Sequence, residues 1–235
     1  MIPKKIHYCW FGRNSKPKLA EKCIASWRKC CPDYEIIEWN ESNFDINLNG
    51  YTRMCYENKM WAFLSDYVRL WVVYQYGGVY FDTDVELLRT PDFLLNDEAF
   101  FGFETDGTEA ISNSGLAFGS VASGLALRTM LEEYDSLIDG MHGVQMCPEL
   151  NTSALVKLGL RRDGSLQKFE WGTVYPVEYF NPYESTTGRL VRTQDTVSVH
   201  WYMGSCLPKR KIILSKLTRP FHRFFGNDCF SRLKK

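Results

Sequence analysis

The chain has 235 residues, with 28 Lys and Arg against 28 Asp and Glu, and 45% of it is hydrophobic. That length and apolar content exclude a disordered chain and allow one sizeable domain with its own core. The balance is uneven, because 207–235 holds nine Lys or Arg against Asp228 alone, leaving 19 basic and 27 acidic residues in 1–206; an acidic body with a basic tail excludes a nucleic-acid reader, whose positive surface lies on the folded module.

From Met1-Ile2-Pro3-Lys4-Lys5 the chain passes straight into a strand-like run, Lys5 to Phe11, with no signal-peptide pattern. Pro17 to Cys31 reads as a helix, with Leu19, Cys23, Ile24 and Trp27 at helical spacing and Pro32 as the stop. Tyr34 to Trp39 is a second strand, so the opening reads as the parallel strand–helix–strand unit of a nucleotide-binding α/β sheet. Met60 to Tyr76 carries a long helical apolar period and ends at Gly77-Gly78. A short strand, Val79 to Phe81, leads into Asp82-Thr83-Asp84. Ala99 to Glu104 and Leu116 to Phe118 read as strands, Gly124 to Leu137 and Asn151 to Leu158 as helices, and Val174 to Val177 and Thr196 to Trp201 as extended. The eight cysteines contain no Cys-x-x-Cys pair and read as buried thiols of a reduced, cytoplasmic protein. No apolar stretch reaches the ~18–20 residues of a membrane span.

The chemistry gathers around the aspartates. Asp82 and Asp84 lie at the carboxyl end of a strand, where open α/β sheets bind ligands. Alternate residues of an extended segment point the same way, so both could approach one hard cation such as Mn²⁺ or Mg²⁺. One helix upstream, Asp66 and Arg69 share a face at i and i+3, on a helix apolar enough to enclose the pair. Taken alone, an Asp-x-Asp is also what a solvated turn contains, and an i,i+3 ion pair is also what a helix surface contains.

Taken together, Ser65-Asp66-x-x-Arg69 and Gly77-Gly78-x-Tyr80-x-Asp82-x-Asp84 resemble the signature of glycosyltransferase family 32. Ile2 to Trp10 is similar to that family's first strand, and Val199-His200-Trp201 with Ser205 to its closing segment, so the likeness spans roughly 1–206. It implies a GT-A type, Rossmann-like α/β fold with a mixed central sheet. It implies retaining, metal-dependent transfer of a hexose from a nucleotide-sugar, with UDP-galactose or UDP-glucose as the leading donors. Asp84 would bind Mn²⁺ (or Mg²⁺), Asp82 would touch the donor and reach the metal through water, and Asp66 and Arg69 would hold donor-sugar hydroxyls. Trp10 would stack on the base, Asn113 would sit near the donor sugar, His200 would ligate metal or diphosphate, and Ser205 would contact phosphate or metal. Cys206 stands where relatives often have Trp, which puts the usual aromatic lid in doubt. Core packing is the other reading of Trp10 and His200, and loop filling of Asn113. Pro148, Asn151 and Thr152 faintly resemble another family motif, with a helix cap as the other reading of Asn151.

The tail, 207–235, interleaves nine basic residues with Ile212, Ile213, Leu214, Leu217, Phe221, Phe224 and Phe225. That suits an anionic membrane surface, at about 1 kcal/mol per basic residue near it, and points to a lipid-linked glycan acceptor in capsule or O-antigen assembly. The competing reading is a helix packed on the acidic body, and Pro220 is expected to interrupt any helix here. Phe81-Asp82-Thr83-Asp84-Val85 also resembles the nucleophile strand of haloacid-dehalogenase-type phosphatases, in which that motif sits on the first strand. A relative that binds nucleotide-sugar without turnover is the non-enzymatic alternative.

Overall fold

The computed structural model describes residues 1–105, 107, 109–204, 209–226 and 229. Strand β1 (Lys5–Cys9) buries Ile6, His7, Tyr8 and Cys9 in succession, the pattern of a strand covered on both faces. Helix α1 (Lys18–Cys30) carries the chain to β2 (Glu35–Trp39), which pairs with β1 in parallel. Helices α2 (Gly50–Glu57) and α3 (Trp61–Tyr76) follow, and β3 (Gly78–Tyr80) then joins the other side of β1, also in parallel.

The second half is less regular. It contains β4 (Val85–Leu87), β5 (Ala99–Gly102), β6 (Phe118–Ser120), α4 (Leu125–Glu132) and α5 (Cys147–Lys157). Then come β7 (Gln167–Phe169), β8 (Gly172–Tyr175), α6 (Val177–Phe180), β9 (Tyr183–Glu184), β10 (Arg189–Leu190), β11 (Ser198–His200) and α7 (Lys209–Phe225). Seven strands form one sheet in the order β2-β1-β3-β6-β5-β8-β7. Its β2-β1-β3 half is parallel, and β6 runs antiparallel to both neighbours, so the sheet is mixed as expected. Outside it, β4 pairs with β11 and β9 with β10, both antiparallel.

Two apolar layers clamp this sheet. On one side, Leu64, Val68 and Val72 of α3 pack with Tyr80, Phe101 and Phe118. On the other, Cys23, Ile24 and Trp27 of α1 pack with Ile6, Val79 and Phe81. Trp27 also donates from Nε1 to Val85 O at 2.8 Å, and Ser26 Oγ accepts from Leu87 N at 2.9 Å. Helix α1 thereby fixes β4, and with it the turn that carries Asp82 and Asp84.

The exit from α3 explains its paired glycines. Gly77 has φ +63° and Gly78 φ +120°, the left-handed region, and a Cβ on Gly78 would stand 2.8 Å from His7 Nε2. His7 is fully buried, with Nε2 2.9 Å from Gly77 O, and Nδ1 accepts from Trp39 Nε1 at 3.0 Å. Those partners require a neutral ring protonated on Nε2. Burial, opposed by the Gly77 carbonyl, lowers its pKa to about 4.

Several expectations need correction. Helix α2 was not anticipated, although Asn49 accepts from Thr52 N at 2.9 Å and Asn49 N donates to Thr52 Oγ1, a reciprocal cap. Helix α4 stops at Glu132 and the chain continues in turns. Val177 opens α6 instead of extending β8. Asn151 is no cap, because α5 begins at Cys147 and Asn151 lies buried inside it. Pro220 lies within α7 and does not end it; the position is exposed, so water can solvate the carbonyl that its missing N–H leaves unpaired.

Candidate nucleotide-sugar cleft

A cleft of about 1060 Å³ opens beyond the carboxyl ends of β1 and β3. Trp10, Asp66, Arg69, Asp82, Asp84, Asn113 and His200 all line it. These seven sequence-nominated residues, scattered over 191 positions, therefore meet in one place. Ser205 and Cys206 lie outside the described residues.

Arg69 is the hub. Within α3, Arg69 is 3% exposed, and its Nη2 lies 2.8 Å from Asp66 Oδ1 and 3.1 Å from Asp82 Oδ1. One cation thus braces two carboxylates from different elements through a single nitrogen. Its guanidinium carbon sits 5.1 Å from the Tyr80 ring centroid, and Tyr80 OH donates to Asp82 Oδ1 at 3.0 Å. Burial raises the pKa of Asp66, opposed by Arg69. Burial also raises that of Asp82 to about 6, with Arg69 opposing it and Asp84 adding to it.

Asp84 is held differently. His200 Nε2 lies 3.1 Å from its Oδ1, and Met203 N donates to its Oδ2 at 2.7 Å. Burial pushes its pKa up, but His200 and the Met203 amide outweigh burial and lower it; His200 is raised reciprocally, with Asp84 overcoming burial. Strand alternation does not produce this arrangement. Residues 83 and 84 form a turn closed by Val85 N to Asp82 O at 3.0 Å, which sends Asp82 toward α3 and Asp84 toward β11. The β4–β11 pairing then brings His200 opposite Val85.

Ligand atoms of Asp82, Asp84 and His200 lie within 4.8 Å of one another. Two hard carboxylate oxygens and an imidazole nitrogen suit Mn²⁺, and also Mg²⁺ if water completes its shell. His200 Nδ1 is buried without a hydrogen-bond partner among the described residues, and three carboxylates face one guanidinium and one imidazole. The donor set and the charge balance both fit a divalent cation.

The cleft walls include residues that the sequence did not nominate. Gly115 packs so tightly under the aspartates that a Cβ there would lie 2.5 Å from Asp82 Oδ2 and 2.9 Å from Arg69 Nη1. Asn113 Oδ1 accepts from Gly115 N at 2.7 Å, and Ser112 N donates to Thr152 Oγ1 at 3.0 Å. Asn151 Nδ2 donates to Ser114 Oγ at 2.9 Å, so α5 pins loop 112–115 in place. Cys147 lines the same wall, 4.0 Å from Arg69 Nη1, and is more than the ordinary core thiol expected. Across the cleft, the Tyr202 ring lies 4.2 Å from that of His200, tilted by 49°, and its hydroxyl donates to Glu104 Oε1 at 3.1 Å. Trp10 stands at the rim, its Nε1 donating to Asn14 O at 2.7 Å. No periodicity or motif marks Glu104 and Tyr202 in the cleft wall, or Gly115 packed against Asp82 and Arg69, because long-range packing alone brings them there.

Residues 17–101 match the family model described as a glycosyltransferase sugar-binding region containing the DXD motif. That match takes in the Asp82-Thr83-Asp84 motif and supports the resemblance to DXD-containing glycosyltransferases. It is 31% identical over 124 residues to inositol phosphoceramide mannosyltransferase 3 of Schizosaccharomyces pombe, a match covering 50% of this chain and 33% of that protein. The chain thus matches about a third of the length of this curated relative. Among solved structures, it resembles the PaToxG glycosyltransferase, with TM-score 0.54, 18% identity, and 67% of this chain and 70% of that one covered. It also resembles a glycosyltransferase involved in glycosylating the major capsid of PBCV-1, with TM-score 0.50, 12% identity, and 90% and 98% covered. At these identities the structural likeness speaks for the fold alone, which is of the GT-A type.

Proposed function

We propose that this protein is a retaining, metal-dependent glycosyltransferase that moves a hexose from a nucleotide-sugar, a UDP-sugar in the leading case, onto a glycan acceptor. The observation that carries the reading is the convergence of Asp66, Arg69, Asp82, Asp84 and His200 in one cleft at the carboxyl end of the parallel strands. Asp84, Asp82 and His200 are the residues to hold Mn²⁺ or Mg²⁺. When bound, that cation supplies positive charge against the departing diphosphate.

The chain's own groups do the rest. Arg69 locks Asp66 and Asp82 in position, so donor-sugar hydroxyls meet carboxylate oxygens that need no reorganisation. Trp10 offers an anchored indole at the rim for the nucleobase. Ser205, next in sequence to the cleft-lining Gly204, is a candidate phosphate contact, and Asn113, which fixes its own loop, is a candidate neighbour of the donor sugar. No side chain is assigned as acceptor base, because a leaving phosphate oxygen can take that proton. The yeast relative is named for mannosyl transfer to inositol phosphoceramide, which supports a lipid-borne acceptor and adds GDP-mannose to the donors to be tried. Capsule or O-antigen assembly is one setting for such an acceptor.

The test is release of nucleoside diphosphate from a panel of UDP- and GDP-sugars, with Mn²⁺ or with EDTA. Slow hydrolysis of one donor that needs the metal and disappears in Asp84→Ala is expected. If no donor and no nucleotide binds with metal present, the reading fails. Binding without turnover across an acceptor panel would assign a nucleotide-sugar-binding protein instead.

A further inference from the structure

A second unusual surface, sharing no lining residue with the cleft, lies on α7. Ile213, Leu214, Leu217, Phe224 and Phe225 are between 59% and 80% exposed. At 100° per residue all five fall, with Pro220 and Phe221, within one arc of about 140°. The opposite side meets the body: Thr218, Arg219 and His222 are half-buried. Arg219 donates from Nε to Ser185 O at 3.0 Å and lays its guanidinium 5.6 Å from the Tyr183 ring centroid. The helix is therefore anchored to the β9–β10 hairpin by its polar side and turns its apolar side outward. A helix built to pack on a core does the reverse.

We propose that α7 is a docking helix for an anionic lipid bilayer, lying in the membrane plane with its apolar face at the headgroup–acyl boundary. The charge pattern selects that occupant. Residues 207–235 carry nine basic groups against one acidic, whereas 1–206 carry 27 acidic against 19 basic. An anionic surface attracts the first and repels the second, which orients the molecule with α7 toward the lipid. A second copy meeting α7 face to face would bring two strongly basic segments together. No helix among the described residues is long and apolar enough to cross a membrane, so α7 lies on the bilayer and does not span it. Arg210 stands within the apolar arc, and its long stem can carry the guanidinium up to the headgroups. Arg223 is exposed and stands three positions from Pro220 at the edge of the arc, where its guanidinium can meet lipid phosphates.

Docking has a geometric consequence. Gly204 lines the donor cleft and α7 begins at Lys209, five chain steps that extend at most about 18 Å. A docked α7 therefore tethers the cleft near the lipid surface, within reach of a lipid-borne acceptor. That consequence rests on the transferase reading; the docking itself does not.

The experiment is co-sedimentation of the full chain with vesicles of phosphatidylcholine alone or containing phosphatidylglycerol. Binding to the anionic vesicles only, weakened by salt, is expected. The variant carrying Leu217→Glu and Phe224→Glu should lose about tenfold in bound fraction while keeping its thermal unfolding midpoint, since both side chains are exposed. Equal sedimentation of variant and parent overturns the proposal, as does failure of the parent to bind. A concentration-dependent dimer that the double substitution abolishes, without vesicle binding, would give the face to self-association instead.

Discussion

The cleft and α7 invert the usual partition of residues in opposite ways. In the cleft, Asp66, Arg69, Asp84 and His200 are nearly shut off from water, although charged groups belong outside. On α7, three leucine or isoleucine side chains and two phenylalanines face solvent, although apolar groups belong inside. Each departure is bearable only if something compensates. The buried carboxylates share one guanidinium and one imidazole, and a cation would complete the set. The apolar arc turns away from the side of α7 that is anchored to the hairpin, and its five exposed side chains face solvent. The two regions thus teach the same lesson from opposite ends: a misplaced residue type marks where a missing partner belongs.

The comparison breaks most visibly at Asp84. Asp84→Ala removes the proposed metal ligand, a carboxylate held by two preorganised contacts, and donor hydrolysis should fall on the order of 10²–10³-fold in nucleoside diphosphate release assays. Retention of near-parental turnover would show that the buried charge is structural.

His7 sharpens the contrast, because it is a buried polar group with both nitrogens already partnered inside the chain. Its folded pKa of about 4 lies below the unfolded value of 6.5, so the unfolded chain takes up a proton first as the pH falls. Its contribution is intact above pH 6.5 and is lost as the pH drops toward 4, at a cost of about 3 kcal/mol in all. Urea unfolding of the parent and of His7→Gln, whose amide can both donate and accept, should show the parent losing more stability across that window. Parallel pH profiles would refute this origin.

A smaller effect is expected at Gly115. In Gly115→Ala the new methyl must displace Asp82 or Arg69, and donor turnover should drop about tenfold with little change in the unfolding midpoint. Unchanged turnover would mean that the aspartate can move without consequence. The smallest effect belongs to α7: Leu214→Ser should shift unfolding by less than about 0.5 kcal/mol, because its side chain is 59% exposed. A large loss of stability there would mean that the apolar face packs on the body after all.

Much of the frame was legible because local pattern and global fold agree. The apolar period of α3, its Gly77-Gly78 stop and the short strand before Asp82 all follow from residues close in sequence. Helix α2 is not legible in the sequence because it is eight residues long and rests on a reciprocal cap formed by Asn49 and Thr52, a pattern that many loops also contain. Pro220 misled because the rule against proline in helices weighs one lost hydrogen bond against the whole helix, and an exposed helix can absorb that loss.

The sequence by itself determined the α/β class, the ion pair on α3 and the carboxylates after β3, since each depends on spacings of a few residues. Tertiary structure alone decided that Arg69 braces both Asp66 and Asp82, and that a turn, not strand alternation, aims Asp82 and Asp84. It also decided that β4 and β11 deliver His200 across more than a hundred residues, and that Gly115 leaves room for the cluster. The physical reason is that a period or a cap is written along the chain. Which distant backbone lies beside an aspartate is set only when sheet and helices close on one another.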